Sequence, residues 1–338
     1  MSRQLLALLC LLLAGCGHDQ DGWQVCEFET DAEFKDVYFT DPHHGWIVGG
    51  GIFVQGGIIG RTTDGGRSWD FQSGLVPKRQ GVLQFHFNAV DFVNPNRGCV
   101  VGSGGRILLT DDGGENWRMV RYGARVSEHL YDVHFIDELN GWVTGLGGIL
   151  RTTDGGETWT MAGPYRSGMG YITGFAIHFL DLEHGWLAGQ DGDLRRTSDG
   201  GENWTKLDLY ASDEKPFLCD LTFTDPENGW VVGENGTILH TTDGGETWEH
   251  QSGAEGAFLT SVHFLDSQNG WVVGYFRHES RSILLYTADG GTTWVLEREI
   301  DGEELQAVYL TSADHGWAVG NRTLRDKPQR MLSLFAEE

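Results

Sequence analysis

Short runs of alternating apolar and polar residues recur along the chain, and each run ends in a cluster of Asp, Asn, Pro or Gly residues. Alternation of this length predicts half-buried β-strands, and the cluster predicts a tight turn. A Gly-Trp pair and further apolar residues then predict a second, antiparallel strand. Seven units, numbered 1 to 7 below, begin with the landmarks DVYFTDPHHGWIVG at 36–49, AVDFVNPNRGCVVG at 89–102, DVHFIDELNGWVTG at 132–145, AIHFLDLEHGWLAG at 176–189, DLTFTDPENGWVVG at 220–233, SVHFLDSQNGWVVG at 261–274 and AVYLTSADHGWAVG at 307–320.

A second stretch, which we call the DGG turn, follows each of the first six landmarks. TTDGGETW occurs identically at 152–159 and 241–248, and four looser copies complete the set. Successive aspartates are 42 to 48 residues apart, a near-constant period that is typical of a repeat architecture. A short strand precedes each DGG turn, and a fourth begins at its tryptophan. The aspartates of these turns are Asp64, Asp112, Asp154, Asp199, Asp243 and Asp289.

Four antiparallel strands in each unit of this length predict an all-β protein, a seven-bladed β-propeller. The seventh unit ends in MLSLFAEE, which supplies a third strand but no fourth. Asp21-Gly22-Trp23-Gln24-Val25 has the form of the missing strand, so we expect residues 22–28 to complete blade seven and close the ring. A closed ring leaves only short, protected sheet edges. The expected domain spans residues 21–338.

The residues of the DGG turn are explained by the turn itself. An aspartate can accept hydrogen bonds from backbone N–H groups two and three residues further on, and the glycines permit positive φ. The tryptophan covers the turn with an apolar face. We therefore predict a structural role for the six aspartates. No EF-hand or nonapeptide calcium motif is present, and we expect neither a metal nor another cofactor.

The turn resembles the Asp-box, or BNR repeat, of sialidases and sortilin-type receptors. The full pattern over residues 21–336 resembles the photosystem II stability and assembly factors of chloroplasts and cyanobacteria. This resemblance implies a non-enzymatic propeller that binds a protein partner during assembly. The sequence departs from the pattern at Cys99, which replaces the landmark tryptophan, and at Leu109, His240 and Tyr286, where Arg61, Arg151 and Arg196 stand in other units.

The first residues, MSRQLLALLCLLLAGCG, have the form of a secretory signal. Leu13-Ala14-Gly15-Cys16 also resembles a bacterial lipobox, in which Cys16 becomes the lipidated first residue. We expect a signal peptide at 1–15, a short tether at 16–20, and an exported protein that is lipid-anchored at the membrane and faces the periplasm or an equivalent extracytoplasmic space. Ordinary cleavage nearby is the alternative.

The charge of the chain limits its partners, and the positions of its cysteines limit its disulfides. Without residues 1–15 the chain carries 23 basic and 49 acidic residues, a net charge of −26, which argues against binding to nucleic acid. Cys26, Cys99 and Cys219 fall in different units, so we expect free thiols that are mostly buried. The protein is expected to be a monomer.

Long, irregular segments are predicted on the face opposite the DGG turns, which we call the loop face. Most basic residues of the chain lie in these segments, with tyrosines among them. This pattern favours a docking surface for an acidic segment of a membrane or envelope protein. The alternative is that these loops are merely polar. The candidate partner-binding residues are Arg79, Arg121, Tyr122, Arg125, Tyr165, Arg166, Arg277 and Arg281.

Two other kinds of site stay open. His134, His178 and His263 occupy one position of the first strand in three units, with Asp91 at the equivalent place in unit 2. They either line a central channel, where they could hold a metal, or pack against neighbouring units. A sialidase-like hydrolase or glycan binder is the alternative function. All thirteen tryptophans belong to the landmarks, the DGG turns or Trp23, so none remains as a sugar platform.

Overall fold

The computed structural model describes residues 17–18, 23–28, 30, 32–51, 57–75, 85–120, 129–163, 166–167, 170–171, 174–210, 215–322 and 329–335. Strands dominate these residues, and the only helices among them are two 3₁₀ turns, Gln190–Gly192 and Glu234–Gly236. The all-β prediction is confirmed.

The strands follow one another in the order of the predicted units. Before and within units 1 and 2 they are β1 (Gly17–His18), β2 (Trp23–Phe28), β3 (Glu33–Phe39), β4 (Gly45–Gly51), β5 (Ile58–Thr62), β6 (Asp70–Ser73), β7 (Phe85–Phe92), β8 (Gly98–Gly102), β9 (Arg106–Thr110) and β10 (Arg118–Val120). In units 3 and 4 they are β11 (Leu130–Phe135), β12 (Gly141–Gly145), β13 (Gly148–Thr152), β14 (Thr160–Ala162), β15 (Arg166–Ser167), β16 (Gly170–Tyr171), β17 (Gly174–Phe179), β18 (His184–Gly189), β19 (Leu194–Ser198) and β20 (Thr205–Leu207). In units 5 to 7 they are β21 (Leu218–Phe223), β22 (Gly229–Gly233), β23 (Ile238–Thr241), β24 (Glu249–Gln251), β25 (Phe258–Phe264), β26 (Gly270–Phe276), β27 (Arg281–Thr287), β28 (Val295–Asp301), β29 (Glu303–Ser312), β30 (His315–Arg322) and β31 (Gln329–Phe335).

Units 3 to 6 each form a four-stranded antiparallel sheet whose strands pair in chain order. The second strand is the most enclosed, and every residue of β12 and of β22 is buried. The outer strand begins one residue after the tryptophan of the DGG turn rather than at it, as at Thr160 after Trp159. The indole therefore belongs to the turn and covers it.

Units 1 and 2 differ, because their sheets are joined. Gly50 and Gly51 at the end of β4 pair with His86 and Phe85 at the start of β7, which makes one eight-stranded sheet. In unit 7, β31 pairs on its outer side with β2, in the register Trp23 to Leu334. The two-residue strand β1 pairs with the other edge of β2.

The first strands of the units pack against one another in chain order: β3 contacts β7, β7 contacts β11, and so on to β29, which contacts β3. Apolar clusters fill the space between neighbouring units, and one of them combines Phe34, Phe39 and Ile47 of unit 1 with Trp317 and Val319 of unit 7. The core is therefore divided among the junctions between sheets, as the layered packing of sheet on sheet requires.

The Gly-Trp landmark is explained by close packing. A Cβ atom on Gly45 would lie 2.3 Å from the ring of Phe39, so only glycine fits beside the phenylalanine that ends the first strand. The indole of the preceding unit lies on that phenylalanine: Trp317 stacks on Phe39 with ring centroids 3.4 Å apart. Such pairs stabilise a core by about 0.5–1.5 kcal/mol beyond their buried area.

Neither a disulfide nor a membrane-spanning helix is found among the described residues. Cys26, Cys99 and Cys219 form no disulfide within the described part of the chain; Cys26 and Cys99 are buried and Cys219 is half-buried. Among the residues that the structure describes, no helix is long and apolar enough to cross a membrane.

Candidate functional site

The DGG turn is held together by its own side chains. In unit 1 the hydroxyl of Thr62 donates to Oδ1 of Asp64 (2.8 Å) and accepts from the N–H of Gly66 (2.9 Å). Asp64 in turn accepts the backbone N–H of Ser68 at Oδ1 (2.9 Å) and its hydroxyl at Oδ2 (2.5 Å). Gly65 and Gly66 have φ of 75° and 86°, which suits glycine.

The same bonds recur in the other five turns. In each, the residue four positions after the aspartate supplies both its N–H and a side-chain donor. The backbone donors were expected two and three residues after the aspartate, but the main donor lies four residues after it, because the two glycines extend the turn. Both carboxylate oxygens are thus engaged within the turn.

These bonds favour the ionised carboxylate. The backbone and side chain of Asn116 lower the pKa of Asp112 to about 2, and the hydroxyl and N–H of Thr247 do the same for Asp243. A carboxylate that already accepts three or four donors has little capacity left for an outside ligand.

Tryptophans connect each turn to its surroundings. In three units the indole N–H of the turn donates to the carbonyl of the second glycine: Trp69 to Gly66, Trp159 to Gly156 and Trp204 to Gly201, at 2.9–3.1 Å. Between units, the landmark indole donates to the carbonyl of the first glycine of the next turn. The pairs of this second kind are Trp46 to Gly113, Trp142 to Gly200, Trp230 to Gly290 and Trp317 to Gly65, at 3.0–3.1 Å.

Arginines at the same rim are also engaged by the next unit. Nη1 of Arg61 lies 3.4 Å from Oε1 of Glu115, and Nη1 of Arg151 donates to the carbonyl of Gly200 at 3.3 Å. Arg196 forms an ion pair with Glu246. These pairs are partly exposed and each stabilises the fold only weakly, but they leave this rim with little uncompensated positive charge.

The histidines at the shared first-strand position pack against neighbouring units. The rings of His134 and His178 stack with centroids 4.6 Å apart, and His263 lies 4.5 Å from the ring of Tyr309. Burial lowers the pKa of His263 to about 4 and that of His178 well below its usual value, so both are neutral at pH 7. Within the described part of the chain, no group of three or more His, Cys, Asp or Glu residues is placed to hold a metal ion.

Three aspartates, each two residues before the position that His134 occupies in unit 3, have a role that was not predicted. Asp36 accepts the N–H of Val90, Asp132 that of Ile177, and Asp220 that of Val262, at 2.8–2.9 Å. Each carboxylate thus bonds the backbone of the next unit. The signal was present in the sequence: Asp begins the landmark in units 1, 3 and 5, and Ala or Ser does so in units 2, 4, 6 and 7.

Asp36, Asp132 and Asp220 are half-buried as whole residues, but the protein around their carboxylates keeps most water away from them. Burial raises the pKa of Asp36 to about 7, that of Asp220 to about 6, and that of Asp132 well above its usual value. They bridge units rather than face a ligand, so we treat them as part of the scaffold.

The candidate partner-binding residues on the loop face are only partly described. Arg79, Arg121, Tyr122, Arg125 and Tyr165 lie outside the described residues, as does Cys16. The backbone of Arg166 is described, in β15, where it pairs with Tyr171.

Arg277 and Arg281 are described fully, and both already have acidic partners. Nη1 of Arg277 lies 2.9 Å from Oε1 of Glu234, and its guanidinium lies 4.1 Å above the ring of Phe258. Arg281 pairs with Glu279 and Glu299. A groove of about 290 Å³ runs beside Arg277, bounded by Glu234, Asn235, Phe258, Phe276 and Glu279.

The family model and the relatives that match this chain are both photosystem II assembly factors. The family model described as "Photosynthesis system II assembly factor YCF48" matches residues 17–159, 122–212, 169–251 and 211–296. The chain is 27% identical over 138 residues to the photosystem II assembly lipoprotein Ycf48 of Synechococcus sp. strain CC9902. That alignment covers 40% of this chain and 39% of the relative, so the chain spans about two fifths of the relative's length.

Solved structures resemble the fold. The structure titled "YCF48 bound to D1 peptide" has a TM-score of 0.72 and 20% identity, and the match covers 95% of this chain and 99% of that one. A GH74 xyloglucanase from Xanthomonas campestris has a TM-score of 0.63 and 13% identity, with 91% and 55% covered. At these identities the likeness concerns the β-propeller fold alone.

Proposed function

Because the chain belongs to the photosynthesis system II assembly factor YCF48 family, we propose that it is a non-enzymatic assembly propeller that docks a segment of a membrane protein. Family membership is the observation that carries this proposal. The curated relatives are assembly factors, and the solved YCF48 structure held a D1 peptide. We propose a peptide of the same kind for this chain.

We propose that the scaffold is a ring of seven blades, closed by residues 22–28. The pairing of β2 with β31 and the contact of β29 with β3 support this closure. So does the guanidinium of Arg298 in β28, which donates to the carbonyl of Trp23 at 3.0 Å and ties unit 6 to the closing strand.

We further propose that Cys16 carries a lipid anchor and that the propeller is exported to the extracytoplasmic side of the membrane. The lipobox-like sequence at residues 13–16 supports the anchor, and so does the word lipoprotein in the names of several relatives. Only about five residues separate Cys16 from the closing strand, and so short a tether would hold the propeller close to the membrane surface. We propose that the protein is a monomer.

For the docking surface we propose the loop face rather than the rim of DGG turns. The aspartates and the arginines of that rim are occupied by bonds within and between units. An acidic segment would be repelled by a body of charge −26 except at a basic patch, which we propose is formed by Arg79, Arg121, Arg125 and Arg166. Arginine can hold a carboxylate with two parallel hydrogen bonds, and neighbouring tyrosines add apolar contact.

Binding of a fluorescent D1 peptide to the mature chain tests this proposal. We expect Arg121→Glu/Arg166→Glu to abolish binding, and rising salt to weaken the wild type in the same way. The matched control is Arg67→Glu/Arg196→Glu, which changes the charge equally on the opposite rim and should retain binding. Equal loss in both double variants, or none in the first, would remove the loop face from consideration.

We assign no hydrolase activity. The likeness to the xyloglucanase rests on 13% identity and concerns the fold. Function on a shared fold depends on its site, and among the described residues the DGG turns and central histidines are engaged structurally.

A further inference from the structure

Unit 2 lacks the indole that seals the other junctions. At five junctions the landmark tryptophan lies on the phenylalanine that ends the first strand of the next unit, with centroids 3.4–3.9 Å apart. Between units 2 and 3 this place belongs to Cys99, which is too small to cover Phe135. Phe135 is accordingly half-buried. Its counterparts are at most 6% exposed: Phe39, Phe92, Phe179, Phe223 and Phe264.

Three further residues are unusual at this junction. Leu109 stands where units 1 and 3 to 6 have Arg, His or Tyr, and Arg97 stands where all other units have His or Asn. Leu139 occupies a turn position that is polar in every other unit, and it is 53% exposed. Repacking behind Cys99 accounts for Leu109, because a Cβ on Gly156 would lie 2.9 Å from its Cδ1, the place that an indole takes elsewhere. It does not account for the exposure of Leu139.

The result is a slot between units 2 and 3 on the DGG side. It is lined by Asp91, Arg97, Cys99, Leu109, Phe135 and Gly155, and Leu139 borders it through the hydrogen bond from the N–H of Gly155 to its carbonyl (2.8 Å). The free space in the slot is small, about 10 Å³, which is room for about one water molecule.

Arg97 closes the slot. Its Nη2 donates to the carbonyl of Gly155 at 3.2 Å, and its Nε lies 3.8 Å from Oδ1 of Asp111. Gly155 is the first glycine of its DGG turn, so its carbonyl is the group that accepts a landmark indole at four other junctions. The side chain of Arg97 is 29% exposed and reaches the slot from solvent, so it can leave without disturbing a strand.

We propose that this slot, with Arg97 as its movable cover, is a docking site for an aromatic side chain, preferably tryptophan, presented by a partner polypeptide. The incoming ring displaces the side chains of Arg97 and Leu109, lies on Phe135, and donates its N–H to the carbonyl of Gly155. The same chain repeats this arrangement at its other junctions, which defines the shape and the donor that the slot accepts. An aromatic anchor held in a pocket is a usual centre of a protein interface, and here the pocket opens when Arg97 leaves.

Titration of the mature protein with N-acetyl-tryptophanamide tests the proposal, read by NMR of the labelled methyl groups of Leu109 and Leu139. We expect saturable shifts in the wild type, and binding about tenfold tighter in Arg97→Ala because the cover is removed. N-acetyl-glycinamide should cause no shift. Cys99→Trp restores the landmark and should abolish binding, whereas Cys99→Ala leaves the slot open and should retain it.

Two results would overturn the proposal. One is the absence of methyl shifts in both the wild type and Arg97→Ala at saturating probe, and the other is unchanged binding in Cys99→Trp. If Cys99→Trp does not fold, Leu109→Phe fills the same slot and takes its place. Because the slot lies on the face opposite the proposed peptide site, these results are independent of the D1 peptide experiment.

Discussion

The indole N–H of Trp317 donates a hydrogen bond to the carbonyl of Gly65, at 3.0 Å, although 252 residues separate them. It is the same bond that joins units 1 and 2, 3 and 4, and 5 and 6. The contact between the last unit and the first therefore uses the same bond as those three junctions.

Trp317→Phe should lower the free energy of unfolding by about 1–2 kcal/mol, because it leaves a buried carbonyl without its donor while keeping an aromatic ring on Phe39. Trp186→Phe is the matched control: that indole also stacks on a phenylalanine, but its Nε1 has no partner among the described residues. Chemical denaturation of both variants measures the difference. An equal loss in the two would mean that the bond to Gly65 contributes nothing.

Deletion of residues 21–29 should expose the edge of β31 and cause aggregation or a loss of cooperative unfolding, because an unpaired strand is open to other chains. Thermal melting and light scattering measure the effect. A truncated protein that melts like the intact one would argue against closure of the ring by this strand.

Asp154→Ala should destabilise the fold by about 1–2 kcal/mol without changing peptide binding, because it removes the acceptor for Thr158 and Thr152. Thr153→Ala, next to it and exposed, should change stability by less than about 0.5 kcal/mol. Loss of peptide binding at an unchanged melting temperature would instead make the DGG turn a binding site.

Asp220→Asn should alter the pH dependence of stability. The pKa of Asp220 is raised from 3.8 to about 6 in the folded protein, so the stability it contributes is fully present below pH 4 and is lost as pH rises through 6. The variant does not titrate, so its deficit relative to the wild type should be largest near pH 4 and smallest near pH 7. Urea unfolding across this range measures the deficit, and one that is constant would contradict the shift.

His263→Gln should give the opposite trend. Burial lowers the pKa of His263 from 6.5 to about 4, so its contribution is present above pH 6.5 and lost as pH falls through 4. Unfolding measured at pH 4 and pH 7 should therefore find the variant relatively more stable at the lower pH. His263 and Asp220 change the stability in opposite directions between pH 4 and pH 7, so their contributions can be separated only by comparing the two variants.

Much of the fold was accessible from the sequence because one pattern is repeated. The spacing of Asp64 and its five counterparts fixes the unit, and the alternation around Trp46 fixes its strands. The pairing of β4 with β7 was not predicted, because residues 50 and 51 are glycines and carry no side-chain pattern to indicate a partner.

Less of the candidate functional site could be predicted from the sequence. The engagement of both oxygens of Asp64 follows from turn chemistry, although the donor is Ser68 rather than a nearer residue. The role of Asp36 could not be predicted from alternation alone, because the period of a strand gives the face of a side chain and not the unit it meets. The pairing of Arg277 with Glu234 joins loops 43 residues apart, and nothing local in the sequence relates them.

The pairing of β2 with β31 has a consequence for the order in which the protein can be made. Trp23 is synthesised about 300 residues before Leu334, its partner in the sheet. Until β31 emerges, the edge of β2 opposite β1 has no native strand to join, and closing so long a stretch of chain carries an entropic cost that only the finished junction offsets. The earliest part of the propeller to be synthesised is therefore among the last to reach its final place, and the nascent chain must keep that edge of β2 free until translation is nearly complete.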